Sequence, residues 1–323
     1  MHIDLKLGLS CNNYCCHCIM EPVRKRLAAE QQAIDSSFTD IERLIDTLGE
    51  QNCTSITLTG GEPTLRKDFF DILHRVAMTS ISITVQSNGR LLGKEKALHA
   101  LADLSRRDIL FVIALHGDNS KLHDAVTNVP GSFQETVAAI QSLMTIGFPV
   151  CGKMVLSRYN VSAAADTLMF MAKLGIDDAL VAFPHAEDFT EDVLKKMLPR
   201  YAEIRDMLQA VAAALYLPKV VRWETIPFCV FPNPAFFSSS MDLEFLKAKI
   251  QGLGTIIEMS MTNQRINWEE SRKTIKTKPQ QCQECLLDYV CEGVWQEYLE
   301  FYGGKDLVPI RQDETVHSFL ETL

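Results

Sequence analysis

The sequence predicts an α/β protein, an open and partial (βα)6 TIM barrel followed by a smaller α+β region. Between residues 2 and 217, short apolar stretches with strand character alternate six times with amphipathic helical stretches. The alternation stops after Leu217, where the pattern becomes short and mixed. Repeated strand–helix units pair their strands in parallel with right-handed crossovers, and six units are too few to close an eight-unit barrel.

The predicted strands are short, and a loop or turn follows each of the first three. They lie at residues 2–9, 55–59, 81–86, 109–115, 150–156 and 179–183. A hydroxyl residue followed three positions later by glutamate predicts that helices begin near Thr39 and Ser132, and Gly49 and Gly147 are expected to end these helices. In such folds the functional loops lie at the carboxyl ends of the strands, so we expect the site there.

Composition sets broad limits on the function. The chain has 323 residues, of which 47% are hydrophobic, and a formal net charge of −9. The length allows about two domains, which we expect at residues 1–217 and 218–323. The negative charge disfavours nucleic acid as a partner, and the lack of any apolar run of about 18 residues argues against a membrane span.

Cysteine usage indicates metal or redox chemistry. Residues 1–10 alternate apolar and polar side chains and lack the features of a signal peptide, so we expect a cytoplasmic protein. In a reducing compartment, ten cysteines are expected to bind metal or to be redox-active rather than to form disulfides. Cys16, Cys53 and Cys151 are predicted to be non-ligands, since free cysteine is often a small core residue.

A short loop after the first predicted strand carries the strongest signal. Cys11, Cys15 and Cys18 have the spacing C-x3-C-x2-C, in a loop too short for regular structure. A [4Fe–4S] cluster normally takes four thiolates, so three would leave one iron open to chelate a substrate. Unrelated buried cysteines or a partial zinc site are the alternatives that the spacing alone leaves open.

Three loops follow successive predicted strands: residues 11–18, Gly60-Gly61-Glu62-Pro63 and Ser87-Asn88-Gly89. Together they resemble the radical S-adenosylmethionine (radical SAM) superfamily over roughly residues 1–215. The segment from His123 to Thr127, followed by Pro130 to Phe133, also resembles a segment of its peptide-modifying members. The resemblance implies an enzyme that reductively cleaves SAM to a 5′-deoxyadenosyl radical, which abstracts hydrogen from a substrate.

The resemblance also implies which residues hold the cofactors. Cys11, Cys15 and Cys18 would hold the catalytic [4Fe–4S] cluster. Gly60 and Gly61 would let backbone approach the methionyl end of SAM, where a Cβ would clash. The SAM contacts implied in this way are His17, Gly60, Gly61, Glu62, Pro63, Asn88 and Lys153.

Simpler interpretations of these residues stay open on sequence grounds. Gly-Gly-Glu-Pro is also a common strand-ending turn. The family usually has an aromatic residue against the adenine where this chain has His17, and a solvent-facing histidine is the alternative. Lys153 lies where the family often has a basic residue facing the SAM carboxylate, and a surface lysine is the alternative. Strand four lacks the family's frequent serine or threonine, for which His116 or Asn119 could substitute.

A second cysteine group lies near the carboxyl end. Cys282-x2-Cys285-x5-Cys291, followed by Gly293, resembles the extension called SPASM or its shorter form, twitch. The resemblance implies one auxiliary [4Fe–4S] cluster with Cys229 as the fourth ligand, in a small twitch/SPASM-like domain. A zinc site on the same thiolates, and a Cys229 that is only a core residue, are the alternatives.

Three functions are compatible with these features. The first is modification of a ribosomally synthesised peptide, and the second is the same chemistry on a nucleotide, sugar or cofactor precursor. The third is a non-catalytic iron–sulfur or zinc scaffold or electron carrier. For an enzyme we expect a reductant such as flavodoxin or ferredoxin. Because no peptide-recognition segment precedes the first strand in this sequence, we also expect a separate leader-peptide-binding protein.

Overall fold

The protein is represented by a computed structural model that describes residues 1–48, 52–105, 107–187, 189–241, 256–259 and 265–321. The chain divides into two compact units. Of the described residues, the first unit contains 1–115, 119–153 and the two strands after residue 255. The second contains 116–118, 154–241 and 270–321. The predicted domain boundary at residue 217 stays a prediction.

The strands and helices are short, as expected from the sequence. The strands are β1 (His2–Lys6), β2 (Ser55–Thr59), β3 (Ser82–Ser87), β4 (Ile109–Ala114), β5 (Val150–Val155), β6 (Asp178–Ala182), β7 (Val220–Glu224), β8 (Ile256–Met259), β9 (Arg265–Asn267), β10 (Lys276–Thr277) and β11 (Val294–Trp295). The described helices are α1 (Met20–Ala29), α2 (Phe38–Thr47), α3 (Phe69–Ala77), α4 (Glu95–Leu101), α5 (Ser120–Thr127), α6 (Ser132–Thr145), α7 (Ala164–Lys173), α8 (Glu191–Met197), α9 (Tyr201–Ala213), α10 (Trp268–Ile275), α11 (Gln296–Tyr302) and α12 (Glu314–Leu320).

The first unit is built on one sheet with the strand order β5-β4-β3-β2-β1-β8-β9. All neighbours in it are parallel except β9, which is antiparallel to β8. Directly opposed residues form a buried apolar row across five strands: Leu5, Leu58, Val85, Phe111 and Val150. This register confirms the predicted α/β class and brings the carboxyl ends of β1 to β5 to one edge.

Helices follow the strands as predicted, with corrections at two caps. The cap of α2 is Ser37, whose hydroxyl accepts from Asp40 N, and not Thr39. The cap of α6 is Gly131, with φ of +86°, and the Ser132 hydroxyl is used elsewhere. Gly147 has φ of +94° at the end of α6, as its prediction requires. The prediction for Gly49 lies outside the described residues.

The second unit contains β6 and β7, which pair in parallel, and the short antiparallel pair β10 and β11. The end of β5 belongs to it, and there Leu156 N donates to Ala182 O at 2.9 Å. The sequence predicted β7 only as a strand-like stretch, and it missed α1, α5, the strands β8 to β11 and the helices α10 to α12. Among the described helices, none is both long and apolar enough to span a bilayer.

Candidate functional site

The cysteine loop lies between β1 and α1 in the first unit. Burial raises the pKa of Cys15, and the negative charges of Cys18 and Cys11 raise it further. Burial is also the main cause that raises the pKa of Cys11 and of Cys18. Such mutual influence requires neighbouring thiols, so the fold gathers the three predicted ligands. All ten cysteines are free, and three adjacent thiols fit three corners of a [4Fe–4S] cluster.

Polar side chains fix the start of this loop. Asp35 Oδ1 accepts hydrogen bonds from Leu9 N and Ser10 N, both at 3.0 Å, and its Oδ2 accepts from Ser10 Oγ at 2.6 Å. Arg66 donates to Leu7 O at 2.9 Å. These side-chain bonds add to the backbone hydrogen bonds between β1 and Cys11, such as the one from Leu9 N to Ile34 O at 2.7 Å. The position of Cys11 therefore follows from side chains distant in sequence.

The Gly60-Gly61 turn packs directly on the backbone that leads into the loop. Gly61 N donates to Gly8 O at 2.8 Å. A Cβ on Gly60, whose φ is +136°, would lie 2.2 Å from Gly8 O, and a Cβ on Gly61 would lie 2.3 Å from Ser10 O. The structure thus gives a reason for both glycines that the sequence did not suggest, which is close approach to the chain's own backbone. Their contact with SAM stays a prediction.

Glu62 is buried and accepts several hydrogen bonds. Its Oε1 accepts from Thr64 N, Thr64 Oγ1 and Ser87 Oγ at 3.1, 2.6 and 2.8 Å, and its Oε2 accepts from Asn88 N at 2.7 Å. Burial raises the pKa of Glu62, and these bonds oppose that rise. Pro63 begins the short 3-10 turn that Glu62 caps. The carboxylate therefore joins the loops after β2 and β3, which leaves it little free capacity for a SAM amine.

Asn88 and Arg90 connect the loop after β3 to the cysteine loop. Asn88 Nδ2 donates to Asn12 Oδ1 at 2.7 Å. Arg90 Nη1 donates to Asn12 O at 2.6 Å and to Asn13 Oδ1 at 3.2 Å. Its Nε donates to Glu135 Oε2 of α6 at 2.5 Å. The residues between Cys11 and Cys15 are thus held from β3 and, through Arg90, from α6.

The segment that resembles peptide-modifying enzymes, residues 123–133, also forms hydrogen bonds with the cysteine loop. Tyr14 N donates to Thr127 O and Cys16 N donates to Val126 O, at 2.9 and 3.0 Å. Burial acts to raise the pKa of Asp124, but hydrogen bonds from Phe133 N, Gly131 N and Ser132 Oγ outweigh it and hold this pKa below its usual value. The backbone hydrogen bonds from Tyr14 and Cys16 to this segment therefore help to position the cysteine loop.

Two of the predicted SAM contacts come close to each other. Burial lowers the pKa of His17 to about 4, and the positive charge of Lys153 lowers it further. Both side chains are half-buried. A neutral imidazole beside a cation suits a pocket that receives both a flat heterocycle and a carboxylate. Asn119 caps α5 by accepting from Leu122 N at 3.0 Å, and His116, in the second unit, accepts from Val155 N at 3.3 Å.

The second cysteine group forms one pocket in the second unit. Cys229, Cys282, Cys285 and Cys291 all line it. Burial raises the pKa of Cys229 to about 12, and the charges of the other three cysteines act in the same direction. The fold therefore brings Cys229 to the other three, although more than 50 residues separate them in sequence. The other lining residues include Pro227, Phe228, Pro279, Leu287, Val294, Leu307 and Pro309.

Backbone contacts set the shape of this second pocket. Cys285 N donates to Cys282 O at 3.0 Å, and Cys291 N donates to Leu287 O at 2.8 Å. Gly293 N donates a hydrogen bond to Cys291 Sγ at 3.4 Å. Gly293 has φ of +87°, and a Cβ there would lie 2.3 Å from Thr277 O. Glycine is therefore required beside the last cysteine.

Several residues of the first site were missed in the sequence. Asp35, Arg66 and Arg90 belong to no motif that was recognised, and only the structure relates them to the loop. Arg90 had one available signal, because it directly follows Asn88-Gly89 at the carboxyl end of a predicted strand. Asp35 and Arg66 had none.

Comparison with known families assigns the class of protein. Residues 5–171 match the radical SAM superfamily. This match covers more than half of the chain and includes the cysteine loop, the Gly-Gly-Glu-Pro turn and Lys153. The chain therefore belongs to the radical SAM superfamily, and membership implies SAM and a [4Fe–4S] cluster.

Curated relatives match over about half of this chain. The mycofactocin maturase MftC of Mycolicibacterium smegmatis is 29% identical over 174 residues, which are 53% of this chain and 41% of MftC. The AdoMet-dependent heme synthase of Methanosarcina barkeri is 26% identical over 173 residues, which are 54% of this chain and 47% of that protein. The chain thus spans less than half the length of these relatives.

Solved structures share the fold over nearly the whole chain. Streptococcus suis SuiB bound to precursor peptide SuiA has a TM-score of 0.64 at 17% identity, and the match covers 97% of this chain and 75% of that one. The enzyme anSMEcpe with bound AdoMet has a TM-score of 0.62 at 12% identity, covering 99% and 96%. At such identities the similarity extends to the fold alone.

Proposed function

We propose that this chain is a radical SAM enzyme with two [4Fe–4S] clusters that modifies a ribosomally synthesised peptide. The observation that carries the proposal is that the chain has two separate cysteine groups. One is a loop with three cysteines that is held by hydrogen bonds, and the other is a pocket lined by four cysteines. Three thiolates leave one iron for SAM, whereas four close the second cluster. When bound, the first cluster and SAM supply one-electron cleavage of SAM and hydrogen abstraction from the substrate.

The chain's own residues hold and orient these groups. Cys11, Cys15 and Cys18 bind the first cluster. When SAM is bound, His17 would contact the adenine and Lys153 would bind the carboxylate, which the influence of Lys153 on the pKa of His17 and their partial burial support. The carbonyl groups of the Gly60–Pro63 turn accept from the SAM amine, and Glu62 and Asn88 fix that turn in place.

The second pocket holds an auxiliary [4Fe–4S] cluster on Cys229, Cys282, Cys285 and Cys291. Its apolar lining excludes water from a closed cluster, and such a cluster can accept an electron without binding substrate. A zinc ion on the same thiolates is chemically possible, but it could not take up an electron. We assign this role to a twitch/SPASM-like region at residues 218–323, following a catalytic partial barrel at residues 1–217.

A peptide substrate is supported by the relatives. MftC is named a maturase, AlbA of Bacillus subtilis is named for biosynthesis of the bacteriocin subtilosin, and SuiB was crystallised with a precursor peptide. An external reductant such as flavodoxin or ferredoxin and a separate leader-peptide-binding protein complete the proposal. We place the enzyme in the cytoplasm, where thiol ligands stay reduced.

A small-molecule substrate is the second candidate. One specific observation favours it, because a relative that matches over a similar share of the chain is named a heme synthase. The chemistry at the two cysteine groups would be the same. Only the substrate distinguishes the two candidates.

The test uses this chain, reconstituted anaerobically, with SAM, a reductant and the product of any short open reading frame found beside its gene. We expect 5′-deoxyadenosine and a peptide of altered mass, and the same products from Cys53→Ala, which removes a buried cysteine outside both groups. Cys18→Ala should give neither product. An unchanged peptide beside abundant 5′-deoxyadenosine would reject the peptide substrate, and absence of 5′-deoxyadenosine from the wild type would reject the enzyme.

A further inference from the structure

Arg90 connects the cysteine loop to helix α6 through one planar group. Its side chain is only 16% exposed. One edge of the guanidinium donates to Asn12 O and Asn13 Oδ1, and Nε donates to Glu135. A guanidinium can make such contacts in fixed directions at once, whereas a lysine ammonium is a point charge on a flexible stem.

The Asn12–Asn13 turn is itself in contact with a cluster ligand. Asn13 N lies 3.4 Å from Cys11 Sγ and donates to it. Asn13 is 4% exposed, and its Oδ1 is the atom that Arg90 contacts. Hydrogen bonds to the sulfurs are among the factors that set the reduction potential of an iron–sulfur cluster. The contacts therefore run from Glu135 through Arg90 and Asn13 to Cys11.

We propose that Arg90 is a positioning residue for the first cluster. Oriented by Glu135, it holds the Asn12–Asn13 turn so that Asn13 N–H points at the Cys11 sulfur, and in this way it raises the reduction potential of the cluster. The proposal depends on the cluster at Cys11, Cys15 and Cys18. It does not depend on the identity of the substrate or on the auxiliary cluster.

The geometry favours positioning over a direct contact with substrate. Arg90 Nη1 donates to a backbone carbonyl and to an amide oxygen, and Nε donates to a carboxylate, so two of the three guanidinium nitrogens are committed within the chain. Helix α6 is also anchored to the same region by Thr136 Oγ1, which donates to Asn88 O at 2.8 Å. Two bonds from α6 thus support the loop after β3. Asn88 and Arg90 both extend that support to the cysteine loop, and Arg90 is the one of the two that contacts Asn13, whose N–H donates to Cys11.

The test compares Arg90→Gln, Arg90→Lys and Glu135→Gln with the control Arg75→Gln. Arg75 makes ion pairs with Glu42 and Asp46 on the surface of the same unit. The first readout is a redox titration of the reconstituted protein, followed on the EPR signal that changes when SAM is added. The second is the rate at which a maleimide labels Cys11 in the cluster-free chain, measured by mass spectrometry.

We expect Arg90→Gln to shift the reduction potential of the SAM-responsive cluster to a more negative value. The N–H···S bond stabilises the reduced cluster, and the variant weakens or loses this bond. Cys11 labelling should accelerate about tenfold, since a hydrogen bond to a charged group contributes roughly that factor to a local opening equilibrium. Glu135→Gln should give smaller shifts of the same sign, and Arg90→Lys should restore part of the wild-type values. Arg75→Gln should change neither.

Unchanged potential and labelling in Arg90→Gln would overturn the proposal, even if the variant were less stable. A shift of equal size in Arg75→Gln would overturn it as well. If Arg90→Gln does not fold, Glu135→Gln decides, because it removes the charge that orients Arg90 and otherwise only a longer ion pair with Lys94, at 3.7 Å. Wild-type values in that variant would then reject the proposal.

Discussion

The two cysteine groups are surrounded by different chemistry. The first, at Cys11, Cys15 and Cys18, is held by charged and polar side chains that each make several hydrogen bonds, namely Asp35, Glu62 and Arg90. The second, at Cys229 and Cys282 to Cys291, lines a pocket whose other walls are largely proline, leucine and valine. One site is built from directional bonds and the other mainly from apolar contact.

We attribute the difference to the number of thiolates proposed for each cluster. A cluster with one open iron must receive SAM, which carries an amine, a carboxylate and a sulfonium, so the chain around it has to be fixed to within hydrogen-bonding accuracy. A cluster closed by four thiolates binds no SAM, so its surroundings need chiefly to exclude water. We therefore expect the two groups to respond differently to substitution, and four predictions sharpen that contrast.

The largest effect is expected for Cys15→Ala. Loss of one of three thiolates should prevent assembly of the first cluster, so that iron content falls from about eight to about four atoms per chain. Formation of 5′-deoxyadenosine should drop below detection. Iron analysis and chromatography of the quenched reaction measure both quantities, and retention of SAM cleavage would contradict the assignment of the open iron.

Cys229→Ala should separate the two sites. Because the first cluster is intact, 5′-deoxyadenosine should still form in the presence of SAM and reductant. The modified substrate should be lost or strongly reduced, since the auxiliary cluster would be absent or incompletely ligated. Loss of SAM cleavage in this variant, with the wild-type amount of the first cluster present, would show that the sites are not separable in this way.

Glu62→Gln should weaken the first unit. Both oxygens of the carboxylate accept hydrogen bonds, whereas an amide has an acceptor oxygen at one end and a donor NH2 group at the other. The NH2 group would therefore lie against Asn88 N or against the donors of Thr64 and Ser87, and those hydrogen bonds would be lost. We expect the free energy of unfolding of the cluster-free chain to fall by about 1.5–3 kcal/mol. Glu42→Gln, which removes a surface partner of Arg75, is the matched control and should cost less than about 1 kcal/mol. If urea denaturation gave the same loss of unfolding free energy for Glu62→Gln and Glu42→Gln, Glu62 would not be a stabilising link between the loops after β2 and β3.

Asp124→Asn should have the smallest effect, and it should depend on pH. The carboxylate accepts from Gly131 N, Phe133 N and Ser132 Oγ at the start of α6, so we expect a loss of about 1 kcal/mol at neutral pH. Since the folded-state pKa of Asp124 lies below its usual value, the stabilisation is fully present above the unfolded pKa and disappears as pH falls through the folded pKa. The difference between variant and wild type in urea denaturation should therefore shrink toward about pH 3; a constant difference would contradict this.

Much of the fold was predictable because its signals are local. The strand–helix alternation and the buried faces, such as Phe69, Ile72, Leu73 and Val76 of α3, depend on residues near each other in sequence. The caps were less predictable, because Ser37 and Thr39 both have the right chemistry and packing decides between them. Helix α1 was missed because it buries no residue and so has little apolar periodicity.

The ligand cysteines were predictable, but what holds them was not. Cys11, Cys15 and Cys18 lie within one loop, and their spacing together with the turns after the second and third strands predicts a cluster. The side chains that hold the loop include Asp35 and Arg90. Their contacts depend on the register of β1 and β3, so a local sequence pattern does not reveal them. Gly60 and Gly61 were recognised as required glycines for one reason, and the structure adds a second, the backbone of Gly8 and Ser10.

The most direct test of two clusters with different ligation is Mössbauer spectroscopy of the chain reconstituted with iron-57. Our account predicts two [4Fe–4S] clusters, of which one contains a single distinct iron whose signal changes when SAM is added, while the other stays unchanged. A spectrum in which SAM alters no iron, or in which it alters an iron of both clusters, would contradict the central claim.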